Sequence, residues 1–413
     1  MVGVSADAAE IESAYSWWRL VACVALGALG GVGMWSVVVV LPTVQAEFAT
    51  ARGGASLPYT LTMVGFAFGG LLMGRLADRF GIVWPMLCSA LALGLGYIVS
   101  SRAETLWQFA IVHGVMIGML GSSTTFGPLM ADISHFFTRR RGIAVALAAS
   151  GNYLAGAFWP NIIQHGVETI GWRQTHLYIG LFSIAAMLPL VLMLRRRPPK
   201  AAMVMPTPAA GGRGDIGLSP GSLQAVLALA SFACCVAMSM PQVHIVAYCK
   251  DLGYGVALGA EMLSVMLGLG ILSRIGSGFI ADRLGGFYTL LLGSTLQGLA
   301  LSLYLVFDGR LSLYVVTALF GLVQGGIVPS YTMIVREYFS PTEAGQRVGA
   351  ILMASIFGMA AGGWLSGVIF DMSGSYAAAF VNGVAWNVLN VGIVVWLMMR
   401  AGRLRPMIPS FRA

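Results

Sequence analysis

Residues 74–81 read Gly-Arg-Leu-Ala-Asp-Arg-Phe-Gly, and residues 278–285 read Gly-Phe-Ile-Ala-Asp-Arg-Leu-Gly. Each copy follows a long apolar run and precedes another, so each is expected to be a short loop between two membrane helices. Gly74 and Gly278 suit close helix approach, as small residues do in bilayers. Asp78 and Asp282 suit capping of a neighbouring helix N-terminus, or pairing with Arg79 and Arg283. A single copy would read as an ordinary turn. Two copies at matching places mark a chain built as two equivalent halves.

The composition agrees with a membrane setting. Of 413 residues, 58% are hydrophobic and 10% charged, and the mean hydropathy is +0.82. That is too apolar for a soluble domain. The 54 Gly and 23 Met suit closely packed, adjustable helices. The net charge of +8 comes from Arg residues in short loops, a topological pattern that argues against a nucleic-acid partner. Cys23, Cys88, Cys234, Cys235 and Cys249 all lie in apolar runs. Their spacing fits neither a disulfide framework nor a metal site, so they read as packing residues. Asp7, Glu10 and Glu12 precede Trp17, Trp18 and Arg19, unlike a secretory signal, so the first span is expected to be retained.

Apolar runs place spans near 17–44, 56–76, 83–101, 106–131, 142–166 and 175–194, then near 223–249, 257–279, 286–307, 311–335, 347–371 and 376–399. The fold class expected is an all-α membrane protein of twelve transmembrane helices in two six-helix, pseudo-symmetric bundles. Residues 1–16 form a tail, 17–197 the first bundle, 198–221 a Pro/Gly/Ala-rich connector, 222–400 the second bundle and 401–413 a second tail. Of the Lys and Arg residues, only Arg52, Arg102, Arg173, Lys250 and Arg310 fall opposite the side holding the octapeptides, while Arg274 lies inside a span. The rich side, with both termini, is therefore expected to be cytoplasmic. Small-residue spans opened by Arg141-Gly142 and by Arg347-Val348-Gly349 echo each other and support the two halves. Repeated halves with a site at their interface suit a secondary transporter. There is no Walker A sequence to suggest ATP as the driving force.

Arg274 carries the most information. It lies in the eighth span, eight residues before Asp282, about 12 Å from the loop at helical rise. A cation at that depth costs several kcal/mol, on the order of a strong interaction, unless it meets a partner or a wet cavity. Its planar fork fits a carboxylate through two parallel hydrogen bonds. A snorkelling side chain or a structural ion pair is the bland alternative, with Asp132 and Glu261 the acids nearest span ends. His244 follows Pro241 in the seventh span, where the helix should loosen; it can donate to an anion and titrate near neutral pH, or simply sit neutral against a carbonyl. His113 is a weaker candidate, and His135, His165 and His176 read as interfacial. Ser123 and Thr124, before Gly127-Pro128, are candidate cavity lining, as are Gln324 and Tyr331 around Pro329. Hydroxyls in such places more often bond to their own preceding turn.

Several segments together resemble bacterial members of the monocarboxylate transporter family, beside the oxalate/formate exchangers, within the major facilitator superfamily. The octapeptides look like the superfamily's loop signature. Leu41-Pro42 with Gln45, Glu47 and Phe48 ends the first span as in those proteins; Phe136-Phe137 before Arg140-Arg141-Gly142, and Gly171-Trp172-Arg173, resemble them too. The resemblance implies that Arg274, four residues before Gly278, binds the substrate carboxylate, and that His244 contacts substrate. Three departures stand out. The first span carries no charge between Arg19 and Glu47, where animal members have a proton-coupling lysine. Leu267 stands where they have an aspartate. Met353, Ala354 and Ser355 occupy the region where oxalate exchangers keep a second basic residue.

The expected function is secondary transport of a small organic anion, a monocarboxylate moved with a proton carried by His244, through alternating access in a bacterial inner membrane. An organic-anion exchanger is the alternative within transport. A transport-inactive membrane sensor is the alternative from another class, although a sensor would normally append a soluble signalling domain. No nucleophile–base or metal-ligand set suggests an enzyme, and no cofactor is expected. The expected partners are substrate, proton and lipid bilayer.

Overall fold

The computed structural model describes residues 11–196 and 216–402. Among these residues, twelve helices are long and apolar enough to cross a membrane. In chain order they are α1 (Ala14–Glu47), α2 (Arg52–Phe80), α3 (Val83–Ser100), α4 (Leu106–Ile133), α5 (Arg141–Ile170) and α6 (Trp172–Leu192). The second set is α7 (Pro220–Asp251), α8 (Val256–Leu284), α9 (Gly286–Leu303), α10 (Arg310–Tyr338), α11 (Glu343–Ser373) and α12 (Tyr376–Arg400). The protein is an all-helical, multi-pass membrane protein of two six-helix bundles. Most of the expected connector and of both tails lies outside the described residues.

The octapeptides are not loops. Residues 74–80 complete α2 and residues 278–284 complete α8. Only the last glycine of each breaks the helix: Gly81 at φ 81° and Gly285 at φ 86°, a conformation that glycine adopts without a side-chain clash. Each donates its N–H back into the helix it ends, Gly81 to Ala77 O and Gly285 to Ala281 O, both at 2.8 Å. The octapeptides' place between two long apolar runs suggests a loop, but the Asp and Arg residues lie within helix. They are the exposed final turns of long helices, where charge meets solvent at no desolvation cost.

Among the described residues four spans are interrupted: α2 breaks at Ser56, between Arg52–Ala55 and Leu57–Phe80, just before Pro58, and local sequence explains the other three. α1 breaks at Gly31 between Ala14–Gly30 and Val32–Glu47. α4 passes through a π-helical stretch, His113–Gly121, and a 3-10 turn, Ser122–Thr125, before resuming at Gly127–Ile133. There Gly65 and Gly69 of α2 lie against the carbonyls of Gly114 and Met119, so backbones approach as small residues permit. α10 breaks at Gly325-Gly326, four residues before Pro329. Proline has no N–H, so the Gly325 carbonyl loses its helical donor.

The two halves meet through α2 with α11, α5 with α8 and α1 with α7. The same helices show that one face is shut and the other parted. Near the face opposite the octapeptides, a methyl group placed on Gly53 would come within 2.8 Å of Val368, one on Gly363 within 2.9 Å of Tyr59, and one on Gly367 within 2.9 Å of Arg52 O. At the octapeptide face a methyl on Gly74, Gly142, Gly278 or Gly345 would meet nothing within 4 Å. The close approach expected of Gly74 and Gly278 is not made in this conformation.

The octapeptide face of the first half is fastened by a buried ion pair. Arg19, fully buried, donates from Nε and Nη2 to the two carboxylate oxygens of Asp132, each at 2.8 Å. Its Nη1 donates to Tyr15 Oη and Leu194 O, and its guanidinium lies 4.2 Å from the Phe136 ring centroid. Glu12, just outside the span, accepts the backbone N–H of Arg140 at 2.8 Å and of Thr138 at 3.3 Å. These donors hold its carboxyl below the usual carboxylate range.

Candidate functional site

Arg274 stands on α8 where the two halves meet. Its Nη1 donates to Ala149 O of α5 at 3.2 Å, and its Nε makes a long 3.4 Å contact with Gly325 O. That second carbonyl is the one Pro329 leaves without a helical donor. The guanidinium lies 4.7 Å from the ring centroid of Tyr153, also on α5. Backbone geometry fixes the approach: Gly325 N–H donates to Ser273 Oγ at 2.9 Å, and a methyl on Gly325 would press on the backbone of Gly270 and Arg274. Among the described residues no carboxylate pairs with Arg274. A half-buried guanidinium is thus held by one ordinary and one long bond to neutral carbonyls and by the Tyr153 side chain. These neutral partners leave its charge uncompensated, and a carboxylate entering between the halves could take over its fork.

His244 lies elsewhere. It is fully buried seven residues from the end of α7 at Asp251, about 10 Å along the helix. Arg274 lies ten residues from the opposite end of α8, so the two side chains occupy different levels. His244 Nε2 donates to Gly363 O at 2.8 Å, and Nδ1 is 3.0 Å from Tyr376 Oη. Tyr376 Oη also accepts Arg52 Nη1 at 2.7 Å. Arg52 reaches Asp251 at 3.1 Å, and the Asp371 carboxylate accepts the backbone N–H groups of Arg52 (2.8 Å) and Gly53 (2.7 Å). This network ties α2 of the first half to α7, α11 and α12 of the second at the shut face.

The other expected lining residues are mostly occupied. Ser123 Oγ donates to Met119 O one turn back at 2.6 Å, the local bond that competes with a site role. Thr124 Oγ1 is buried without a partner. Gln324 accepts Gln242 Nε2 at 2.5 Å, next to the carbonyl that Arg274 approaches. Tyr331 turns away to Asn390 Oδ1 at 2.5 Å, in a buried polar cluster with Ser294, Asn387 and Gln297. Of this set Gln324 adjoins Gly325, whose carbonyl Arg274 contacts. Asp78, Arg79, Asp282 and Arg283 are exposed and form no ion pair among the described residues.

His176 is not interfacial: it is fully buried, bonded to Ser100 and packed on Tyr97 and Trp172. Cys88 is exposed, while the other four cysteines are buried packing residues. Sequence reading missed Tyr153, Arg52 and Tyr376. The signal for Arg52 was weak, an Arg at a loop end like any other. The signal for Tyr153 was a lone polar aromatic in a Gly/Ala-rich span.

The chain is similar to several known proteins. The bovine (Bos taurus) monocarboxylate transporter 13 is 27% identical over 340 residues, covering 80% of this chain and 77% of its own. The Aspergillus niger MFS-type transporter pynF is 24% identical over 339 residues, covering 80% and 75%. Among solved structures, the nucleoside transporter NupG superposes with a TM-score of 0.72 at 13% identity, covering 94% of this chain and 99% of its own. A bacterial homologue of the lysosomal transporter Spinster, solved inward-facing and occupied, gives 0.66 at 15% identity, covering 94% and 96%. At such identities the structures speak to the fold alone. Residues 23–310 match the Major Facilitator Superfamily, and the chain belongs to that superfamily of transporters.

Proposed function

We propose that this transporter carries a small organic anion, a monocarboxylate, by alternating access, with a proton moving alongside. The observation that carries this reading is Arg274, a cation between the halves that no acid among the described residues neutralises. One fixed cation suits one carboxylate; a dianion would keep an uncompensated charge at a depth where that is costly. The relationship to a transporter named for monocarboxylates supports the substrate class. With the Lys/Arg-rich face cytoplasmic in a bacterial inner membrane, the conformation described is open inward and shut outward. His244 is the titratable residue of this reading, although it serves the shut face and not the anion.

Exchange of one organic anion for another is the second reading. Two observations favour it: His244 makes its bonds away from Arg274, and α1 is uncharged between Arg19 and Glu47. An empty carrier with a bare Arg274 would then cross reluctantly. A competition panel of carboxylates in proteoliposomes, with and without an imposed pH gradient, separates the two. We expect monocarboxylates to compete and acid outside to drive accumulation. We also expect His244→Gln to retain counterflow while losing the response to the gradient. Exchange that ignores the gradient in wild-type protein replaces symport with exchange, and competition by neutral compounds alone removes the anion reading.

A further inference from the structure

The bonds at the shut face run in one direction. The Gly363 carbonyl can only accept, so His244 Nε2 bears a hydrogen. In the neutral imidazole Nδ1 then accepts, and its donor is the Tyr376 hydroxyl. With its own proton directed at the imidazole, the Tyr376 oxygen accepts Arg52 Nη1. The result is a relay from Arg52 through Tyr376 to His244 and the α11 backbone, linking all four helices that close this face.

We propose that this relay is a proton-sensitive latch: the outer gate closes only when His244 is neutral, and protonation of Nδ1 holds it open. A proton on Nδ1 reverses that bond, so His244 and Arg52 both donate to the Tyr376 oxygen. The phenol hydrogen then has no acceptor in the relay, and a second cation stands beside Arg52. The charged and titratable groups facing this point are Arg52 and Tyr59 from α2, Tyr248 and Asp251 from α7, Asp371 from α11 and Tyr376 from α12. Asp251 already pairs with Arg52, and Asp371 is engaged by the backbone N–H groups of Arg52 and Gly53. Asp251 is thus spent on Arg52, while Asp371 keeps its charge but is turned to the α2 backbone and makes no bond to His244. The open state therefore binds more protons than the closed state, so acid shifts the equilibrium toward opening.

The latch rests on the alternating-access reading but not on the identity of the substrate, and in a symport cycle the proton leaves His244 for the substrate-loaded cavity before the outer gate closes. It is tested without substrate, in nanodiscs, by electron-paramagnetic distance measurement between spin labels at Thr50→Cys and Met372→Cys. The background is Cys88→Ser, because the four remaining cysteines are buried. Between about pH 7.5 and about pH 5.5, which brackets the ordinary imidazole range, the ratio of long to short distances should rise. It should approach about tenfold per pH unit on the acid side. His244→Gln and Tyr376→Phe should each flatten that response, whereas Asp371→Asn should keep it. A wild-type distribution unmoved by pH overturns the latch, as does an unchanged response in His244→Gln. A normal pH response combined with failure of the carboxylate panel would remove the substrate reading and leave the latch standing.

Discussion

At the residue scale, the account turns on a cation without an acid. Arg274 was legible in the sequence because a lone Arg in an apolar span is costly and so seldom idle. Its surroundings were not. Nothing in a run of Gly and Ala says that Tyr153 faces the other half, yet its ring holds the guanidinium at 4.7 Å. If that ring positions Arg274 through its face, Tyr153→Phe should transport with near-normal half-saturation. Tyr153→Leu should raise the half-saturation concentration roughly two- to fivefold, the worth of a partly exposed cation–π contact. Equal damage from both substitutions would assign the effect to the hydroxyl. His244 was also legible as a residue, through Pro241 and the depth of its span, but its level in the membrane relative to Arg274 was not. Two side chains on neighbouring helices can look adjacent in a sequence pattern and still serve opposite ends of a pathway.

At the element scale, twelve apolar runs gave span positions close to those observed, because length and hydropathy alone decide what can cross a bilayer. The interruptions were harder to read. The Pro329 break in α10 and the π-helical stretch of α4 depend on which glycines lie against neighbouring backbones, a tertiary fact. The octapeptides lie between apolar runs and so read as loops, but a helix can carry its charged last turns past the apolar core, and here it continues until Gly81 and Gly285. Two kinds of aspartate at this face should behave differently. Asp78→Asn and Asp282→Asn, at exposed positions, should lower the maximal transport rate with nearly unchanged half-saturation, because they act on the conformational cycle. Asp132→Ala should destabilise the folded protein by about 3–5 kcal/mol, since it leaves Arg19 buried and unpaired. Thermal unfolding in detergent should show a large loss for Asp132→Ala and little change for the other two. A strong loss of affinity with normal turnover in Asp78→Asn would contradict the assignment of that residue to the cycle.

At the scale of the whole molecule, the two-half architecture could be read from internal echoes, since each octapeptide and each small-residue span has a counterpart in the other half. Which face is shut could not, because one sequence must support both arrangements and therefore favours neither strongly. The glycines of α2, α5, α8 and α11 record the arrangement adopted here: crowded where the halves touch, clear where they have parted. An anion entering from the parted face would meet Arg274 between α8 and α5. The central claim is that this guanidinium grips one carboxylate through its fork. The most direct test is counterflow of a competing monocarboxylate in proteoliposomes containing purified wild-type protein, Arg274→Lys or Arg274→Ala. Lysine keeps the charge but loses the paired geometry, so exchange should fall at least about tenfold, the worth of a charged hydrogen bond. Alanine should abolish exchange while the protein stays folded. Wild-type rates in the lysine variant would contradict bidentate recognition, and exchange surviving in the alanine variant would take Arg274 out of the binding site.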